Sequence, residues 1–170
     1  MKHASYLAAF LAVVACLSAL LLTAVNDLTA PIIKQREIAA VAETLKLVFP
    51  QATSFDPKDL TADADKAITG WYYAEGYGDI FEATVDGYGG TGSIVFMVGI
   101  DTQGKYTGFT IITNNDSAGF GQRLTKEYAA LVDGVSAGQD PDVLTGATKS
   151  STAVRKGLQS IYAYWSAHKG

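Results

Sequence analysis

An uninterrupted apolar run comes first, and the hydrophobic spacing then changes character three times along the chain. Residues Ala4 to Val25 (ASYLAAFLAVVACLSALLLTAV) carry no charge. Twenty-two residues at helical rise reach about 33 Å, the hydrocarbon thickness of a bilayer, which predicts a single N-terminal transmembrane helix. Lys2 and the terminal amine precede the run and Asn26-Asp27 follow it, so the positive-inside rule places the N-terminus in the cytoplasm and the rest outside. A cleaved signal peptide calls for a shorter apolar core. Val13-Val14-Ala15-Cys16 has the look of a lipoprotein signal, but the apolar run continues for nine residues beyond Cys16. The expectation is an uncleaved anchor, with Cys16 an ordinary apolar residue.

Thr29-Ala30-Pro31 reads as a helix start, with Thr29 a cap and Pro31 in the first turn. Ile38, Val41, Ala42, Leu45 and Val48 then recur at helical spacing, predicting an amphipathic connecting helix that ends near Pro50. Residues 51–66 are polar, rich in Asp and Ala, and read as a loop. From Ala67 to Asn114 the spacing shifts to short β-prone runs between glycines, with strands expected near 67–75, 80–86, 93–100 and 106–113. Asp101-Thr102-Gln103-Gly104 is a hairpin turn between the last two. Ile94, Phe96 and Val98 alternate with Val95, Met97 and Gly99, so that strand is apolar on both faces and central. A helix is expected over 121–132. Val154, Leu158, Ile161 and Trp165 form one apolar stripe on a last helix over 149–167. The pattern as a whole is α+β, a twisted antiparallel sheet flanked by helices, behind one transmembrane span.

Composition narrows the chemistry. About 140 residues follow the anchor, enough for one domain with a real core. The net charge of −4 argues against nucleic acid as a partner, which calls for a basic face. With a single cysteine, and with His3 and His168 at opposite ends, the sequence has no disulfide and no zinc or iron–sulfur ligand set. No metal site and no catalytic constellation is expected.

The candidate site precedes the last helix, at Asp142-Val143-Leu144-Thr145-Gly146-Ala147-Thr148. A hydroxyl at a helix N-terminus, reached through a glycine, suits an anion, because unpaired N–H groups and the helix dipole both favour phosphate. Gly146 allows a tight turn and close approach of a bulky ligand, and small Ala147 keeps that approach open. The residues alone favour a plain helix cap by Thr145 or Thr148 over an anion site. Thr148-Lys149-Ser150 is not the end of a P-loop, since no glycine-rich run leads into Lys149.

Asp-x-x-Thr-Gly-Ala-Thr resembles the flavinylation motif of FMN-binding domains in two related complexes. One is the Rnf-type ion-translocating ferredoxin:NAD oxidoreductase, in its G subunit. The other is the sodium-translocating NADH:quinone reductase, in its C subunit. The single span followed by Thr29-Ala30-Pro31-Ile32, and Gly87-Tyr88-Gly89-Gly90 leading into Val98-Gly99-Ile100-Asp101, are similar to these subunits. Asp116-Ser117-Ala118-Gly119-Phe120-Gly121 is a variant of their Glu-Thr-Pro-Gly-Leu-Gly box that lacks the proline. Length and the Gly-Tyr-Gly-Gly pattern lean toward the G subunit.

The resemblance implies FMN held covalently through a phosphoester to Thr148, installed by a flavin transferase from FAD with magnesium. It implies that Asp142 is the leading acid of the motif, with Thr145, Gly146, Ala147, Lys149 and Ser150 around the attachment point. Ser117, Gly119 and Phe120 are candidates to border the flavin, with an ordinary turn as the equal alternative. Tyr72, Tyr73, Tyr77 and Tyr88 are candidates to stack on it, against ordinary strand packing. The implied organisation is residues 1–28 as cytoplasmic N-terminus and transmembrane helix, 29–50 as connecting helix, and 51–170 as an extracytoplasmic FMN-binding domain at a bacterial cytoplasmic membrane. Its partners would be membrane lipid, the transferase during maturation, and the membrane and redox subunits of an Rnf-type complex. The chain would relay electrons without turnover of its own. A free-standing flavinylated carrier, and a non-redox binding module with a mere helix cap, are the alternatives.

Overall fold

Alternation of apolar and polar residues, cut by glycine turns, produces five consecutive strands: β1 (Asp56–Lys58), β2 (Ile68–Ala74), β3 (Gly78–Gly87), β4 (Gly90–Asp101) and β5 (Tyr106–Asn114). The computed structural model describes residues 10–12, 14–16, 18–20, 22–23, 25, 41–116 and 120–169, the side chains at 120–122 excepted. The chain divides into two units, Met1–Val41 and Ala42–Gly170. In the first, the described residues between Phe10 and Val25 are helical, and Phe10, Leu11, Leu20, Leu22 and Val25 are exposed. Among the described residues no helix is long and apolar enough to cross a membrane. The span expected over 4–25 lies in part, and the helix start at Thr29 wholly, outside them.

The second unit is an antiparallel meander in sheet order β1-β2-β3-β4-β5. Its helices are α1 (41–48), α2 (Phe120–Glu127), α3 (Ala129–Val132) and α4 (Thr148–His168). The expected α+β architecture is what forms. β4 pairs on both sides, with Phe96, Met97 and Val98 all but inaccessible, as its two-faced apolar pattern predicts. The Asp101–Gly104 hairpin is present: Gly104 N–H donates to the Asp101 carbonyl at 2.9 Å, and the Asp101 carboxylate accepts Gln103 and Lys105 N–H.

Each face of the sheet has its own cover. Val154, Leu158 and Ile161 of α4 pack with Phe81, Val85, Ile94, Phe96 and Val98 on one face, at about 2 kcal/mol of burial per side chain. α4 can lie this close because Gly157 has no side chain: a Cβ there would sit 2.9 Å from Val85 Cγ1 and 3.0 Å from the Phe96 ring. The opposite face is met by Leu45, Val48 and Phe49 at the end of α1, with Val48 and Phe49 against Gly99. Asp79 of β3 accepts both indole N–H groups, from Trp71 at 2.8 Å and from Trp165 at 3.0 Å, and so locks the C-terminal half of α4 to the sheet.

Two expectations need correction. The stretch 51–66 is not all loop, because Asp56–Lys58 pairs with Trp71–Tyr73 as a short edge strand. The helix expected over 121–132 is broken at Tyr128, which is fully buried, donates its hydroxyl to the Ser151 carbonyl, and packs edge-on against Phe109.

Candidate functional site

α4 begins at Thr148, and the residues before it explain why. Gly146 stands at φ +87°, in the left-handed region where a Cβ is penalised, and turns the chain into the helix. The cap position is Ala147, which makes no side-chain cap hydrogen bond. Its carbonyl instead accepts the N–H and the hydroxyl of Ser151, and Ser151 Oγ in turn accepts the Leu144 N–H. Thr148 is therefore the first helical residue, exposed, with its hydroxyl left out of the capping network. The amides of Thr148, Lys149 and Ser150 have no carbonyl one turn back within the helix to accept them. A free hydroxyl beside free N–H groups at the positive end of a 21-residue helix is an anion site in charge and geometry.

Asp116, just after β5, holds this helix end to the sheet. Its carboxylate accepts the Ser150 hydroxyl through a very short hydrogen bond, Ser93 Oγ–H at 2.9 Å, and Gly89 N–H at 2.7 Å. Ser93 Oγ also accepts Gly87 N–H at 2.9 Å. Burial alone pushes the Asp116 carboxyl up, but hydrogen bonds from Ser150, the Gly89 and Tyr88 backbone, and Ser93 outweigh it and hold it below the ordinary carboxylate value. The network fixes the β3–β4 hairpin tip next to the helix start, which puts the exposed Tyr88 ring 5.4 Å from Lys149 Nζ.

An open cleft of about 1120 Å³ leads from Thr148 along α4. Thr148, Thr152 and Lys156 line its helical wall, and Thr84, Val85 and Asp86 of β3 line another. Asp65, Lys66 and Ala67 border it beside Thr84, whose N–H donates to the Ala67 carbonyl.

The sequence-derived residues fall into distinct places. Thr148 and Lys149 line the cleft. Ser150 is buried with its hydroxyl committed to Asp116, leaving only its amide toward the helix start. Thr145 is exposed, and its carbonyl accepts Arg123 Nη1 at 3.1 Å. Asp142 is exposed and does not line the cleft. Ser117 and Gly119 lie outside the described residues, as does the Phe120 side chain. Of the four tyrosines, Tyr88 stands at the helix start, whereas Tyr77 packs on Phe49 and Tyr73 lies under Lys58. Sequence reasoning missed Asp116 as a hub and Lys66 and Lys156 as cleft residues. The i, i+4, i+8 spacing of Thr148, Thr152 and Lys156 was the available signal for the last.

Residues 87–163 match the family model of the FMN-binding domain. The matched segment runs from the Tyr88 hairpin through Asp116 to Ala163 near the end of α4, and so holds the helix start and its clamp. The G subunit of the proton-translocating ferredoxin:NAD(+) oxidoreductase complex of Clostridium ljungdahlii is 24% identical over 159 residues, covering 84% of this chain and 81% of that protein. The chain resembles the G-type FMN-binding subunits. The helix start fits the phosphate end of FMN on its own geometry, with an uncapped hydroxyl, free amides and an open approach. The hairpin and Asp116 belong to the FMN-binding segment, while Asp65–Ala67 and Thr84–Asp86 precede it.

Proposed function

We propose that this chain is a membrane-anchored electron-transfer subunit that carries FMN as a phosphoester on Thr148 and relays electrons within an Rnf-type ion-translocating ferredoxin:NAD oxidoreductase complex. The observation that carries the reading is Thr148 itself. It lies inside the FMN-binding segment, exposed at the first position of α4, with no part in capping the helix. A hydroxyl that must meet the phosphorus of a flavin donor held by another enzyme has to be accessible, and this one is.

The residues around it divide the work. The amides of Thr148, Lys149 and Ser150 and the helix dipole stabilise the phosphate. Gly146 turns the chain so that the ester lies outside the helix barrel. Asp116, through Ser150 and Gly89, keeps helix start and hairpin in fixed relation. When bound, the flavin supplies a ring that takes up and releases electrons, and the protein supplies its position and electrostatics. The tether keeps the cofactor from being lost to dilution.

Anchoring by residues 1–28, with the domain on the outer side of a bacterial cytoplasmic membrane, is part of the same proposal. It is supported by the charge-free run Ala4 to Val25 and by the exposure of Phe10, Leu11, Leu20 and Leu22 on helical backbone. Other subunits of such a complex are the partners implied by the relative.

The test is flavin fluorescence of the protein band on a denaturing gel, after co-expression with a flavin transferase. Wild type is expected to fluoresce and Thr148→Ala to be dark. A dark wild-type band from cells that flavinylate another protein would refute the carrier reading.

A further inference from the structure

The end of α4 remote from Thr148 carries a side-chain cluster that flavin attachment does not use. Tyr164 and His168 lie one turn apart with their rings stacked at 4.2 Å, and both reach the segment that follows β1. The Tyr164 hydroxyl accepts Thr61 N–H at 3.0 Å, and Thr61 Oγ1 lies 3.0 Å from the same oxygen. Thr61 Oγ1 also donates to the Asp63 carboxylate and stands 3.2 Å from His168 Nε2. Asp63 Oδ2 is 3.5 Å from that nitrogen, and His168 Nδ1 is 2.9 Å from the Tyr164 carbonyl.

The protons available decide which form of the imidazole fits. Hydrogen bonds from the Thr61 hydroxyl and the Asp63 backbone, with the charge of His168, hold the Asp63 carboxyl below its ordinary value of 3.8, so it is charged and only accepts. The Thr61 hydroxyl spends its one proton on Asp63. Its oxygen is then an acceptor toward both the Tyr164 phenol and His168 Nε2. Nδ1 meets a carbonyl, which also only accepts. Both ring nitrogens therefore need a proton, and the imidazolium satisfies every partner. A neutral ring, in either tautomer, sets a nitrogen lone pair against an oxygen lone pair. The carbonyl end of the helix dipole and the face of the Tyr164 ring favour the cation as well. Of the neighbouring charges, Lys169 is turned onto the Trp165 ring at 4.6 Å. Asp65 and Lys66, further along the segment, are of opposite sign, and Asp65 keeps its charge while accepting Ala67 N–H.

We propose that His168 is a proton-operated latch: protonated, it fastens residues 61–66 to the end of α4, and on losing its proton it lets that segment loosen. The effect reaches the cleft, because Asp65, Lys66 and Ala67 form one of its borders. Loosening stops at Ala67, whose carbonyl is held by Thr84 N–H. The fastened segment binds the proton more tightly than the released one. The latch is therefore closed on the acid side and opens as the pH rises through the histidine range, about pH 5–8. It also needs Asp63 charged, and so is lost again when acid protonates that carboxyl. The anchoring proposed above would put the latch on the outer side of the membrane, where it would answer to the pH there; the latch itself depends on neither the anchor nor the flavin.

The experiment takes the full-length protein in detergent and reads it in two ways. Nitrogen NMR of the imidazoles reports protonation directly, and with two histidines in the chain, His3 and His168, the His168→Gln variant assigns the signals. At pH 6 both nitrogens of His168 are expected to carry protons. Amide hydrogen exchange at Thr61, corrected for the intrinsic effect of pH, reports the segment. Its protection is expected to fall about fivefold between pH 6 and pH 8 in wild type, the size of a partly exposed ion pair at a helix end. In His168→Gln protection should be low and equal at both pH values, and in Asp63→Asn the step should shrink. His3→Gln should keep the whole step. A His168 ring with one bare nitrogen at pH 6, or a step that survives in His168→Gln, would overturn the latch. The wild-type NMR decides the matter even where a variant folds poorly, and a dark band in the flavin gel would leave it untouched.

Discussion

Asp116→Asn is the substitution that most directly tests how the helix start is held. Three donors converge on the wild-type carboxylate: Ser150 Oγ–H, Ser93 Oγ–H and Gly89 N–H. Hydrogen bonds to a buried charge contribute about 1.5–3 kcal/mol each. Asp116 is only partly buried, and solvent screening brings this to about 1 kcal/mol each. Asp116→Ala should therefore cost about 3 kcal/mol. Asn retains an oxygen for Gly89 and Ser93, but its amide turns toward Ser150, which must reverse its hydroxyl to accept; about 1 kcal/mol is lost. For a unit of this length the two costs correspond to falls of about 10 °C and about 4 °C in Tm. The sign of the pH dependence follows from the carboxyl being held below its ordinary value of 3.8 in the folded state. The unfolded chain takes up the proton first as the pH falls. The wild-type advantage over Asn is thus complete at neutral pH, shrinks below 3.8, and is lost on passing the folded pKa. Thermal melts followed by circular dichroism, for all three proteins from pH 7 downward, make the check. Equal melting of wild type and Asp116→Asn at pH 7, or a gap unchanged well below 3.8, would refute the account of the clamp.

Two further outcomes follow from packing and burial. Gly157→Ala should be near neutral in denaturant melts, because a gain of about 1 kcal/mol in helix propensity offsets the squeeze on Val85 and Phe96. Gly157→Val, with two more carbons in the same gap, should lower stability by about 2 kcal/mol; a Val variant as stable as wild type would show that α4 is not seated as described. Burial pushes the Tyr106 and Tyr128 phenols up to about 12, and each donates to a carbonyl of α4. Absorbance titration should find these two phenols ionising near 12, with stability full below pH 10 and lost as the pH rises toward 12. Uniform titration near 10 in the folded protein would contradict the burial.

Local signals in the sequence carried the strands and the last helix. β4 was readable because both of its faces are buried and every position from Ile94 to Ile100 is apolar or glycine, and α4 because Val154, Leu158 and Ile161 repeat at the helical period on the face that meets the sheet. β1 escaped because its three residues are exposed and contain Pro57, so backbone pairing with β2 holds them without any hydrophobic period. The break at Tyr128 escaped for a related reason. Its partners are the Ser151 carbonyl and the Phe109 ring, both remote in sequence, and no spacing within 121–132 encodes them.

The site divides along the same line. Thr148, Gly146 and Ala147 are neighbours in sequence, so a short motif is enough to find them. Asp116 acts on groups 34 and 27 residues away, Ser150 and Gly89, and only the fold brings these together. Lys66 is the sharper case. In an Asp- and Ala-rich tract a lysine reads as a solvated loop residue, and its side chain gives no reason to think otherwise. What gives it a place is the pairing of Ala67 with Thr84, which sets Lys66 on the same cleft as Lys156. A strand pairing between residues this far apart leaves no local mark, and so the cleft wall lay beyond the reach of the motif at its mouth.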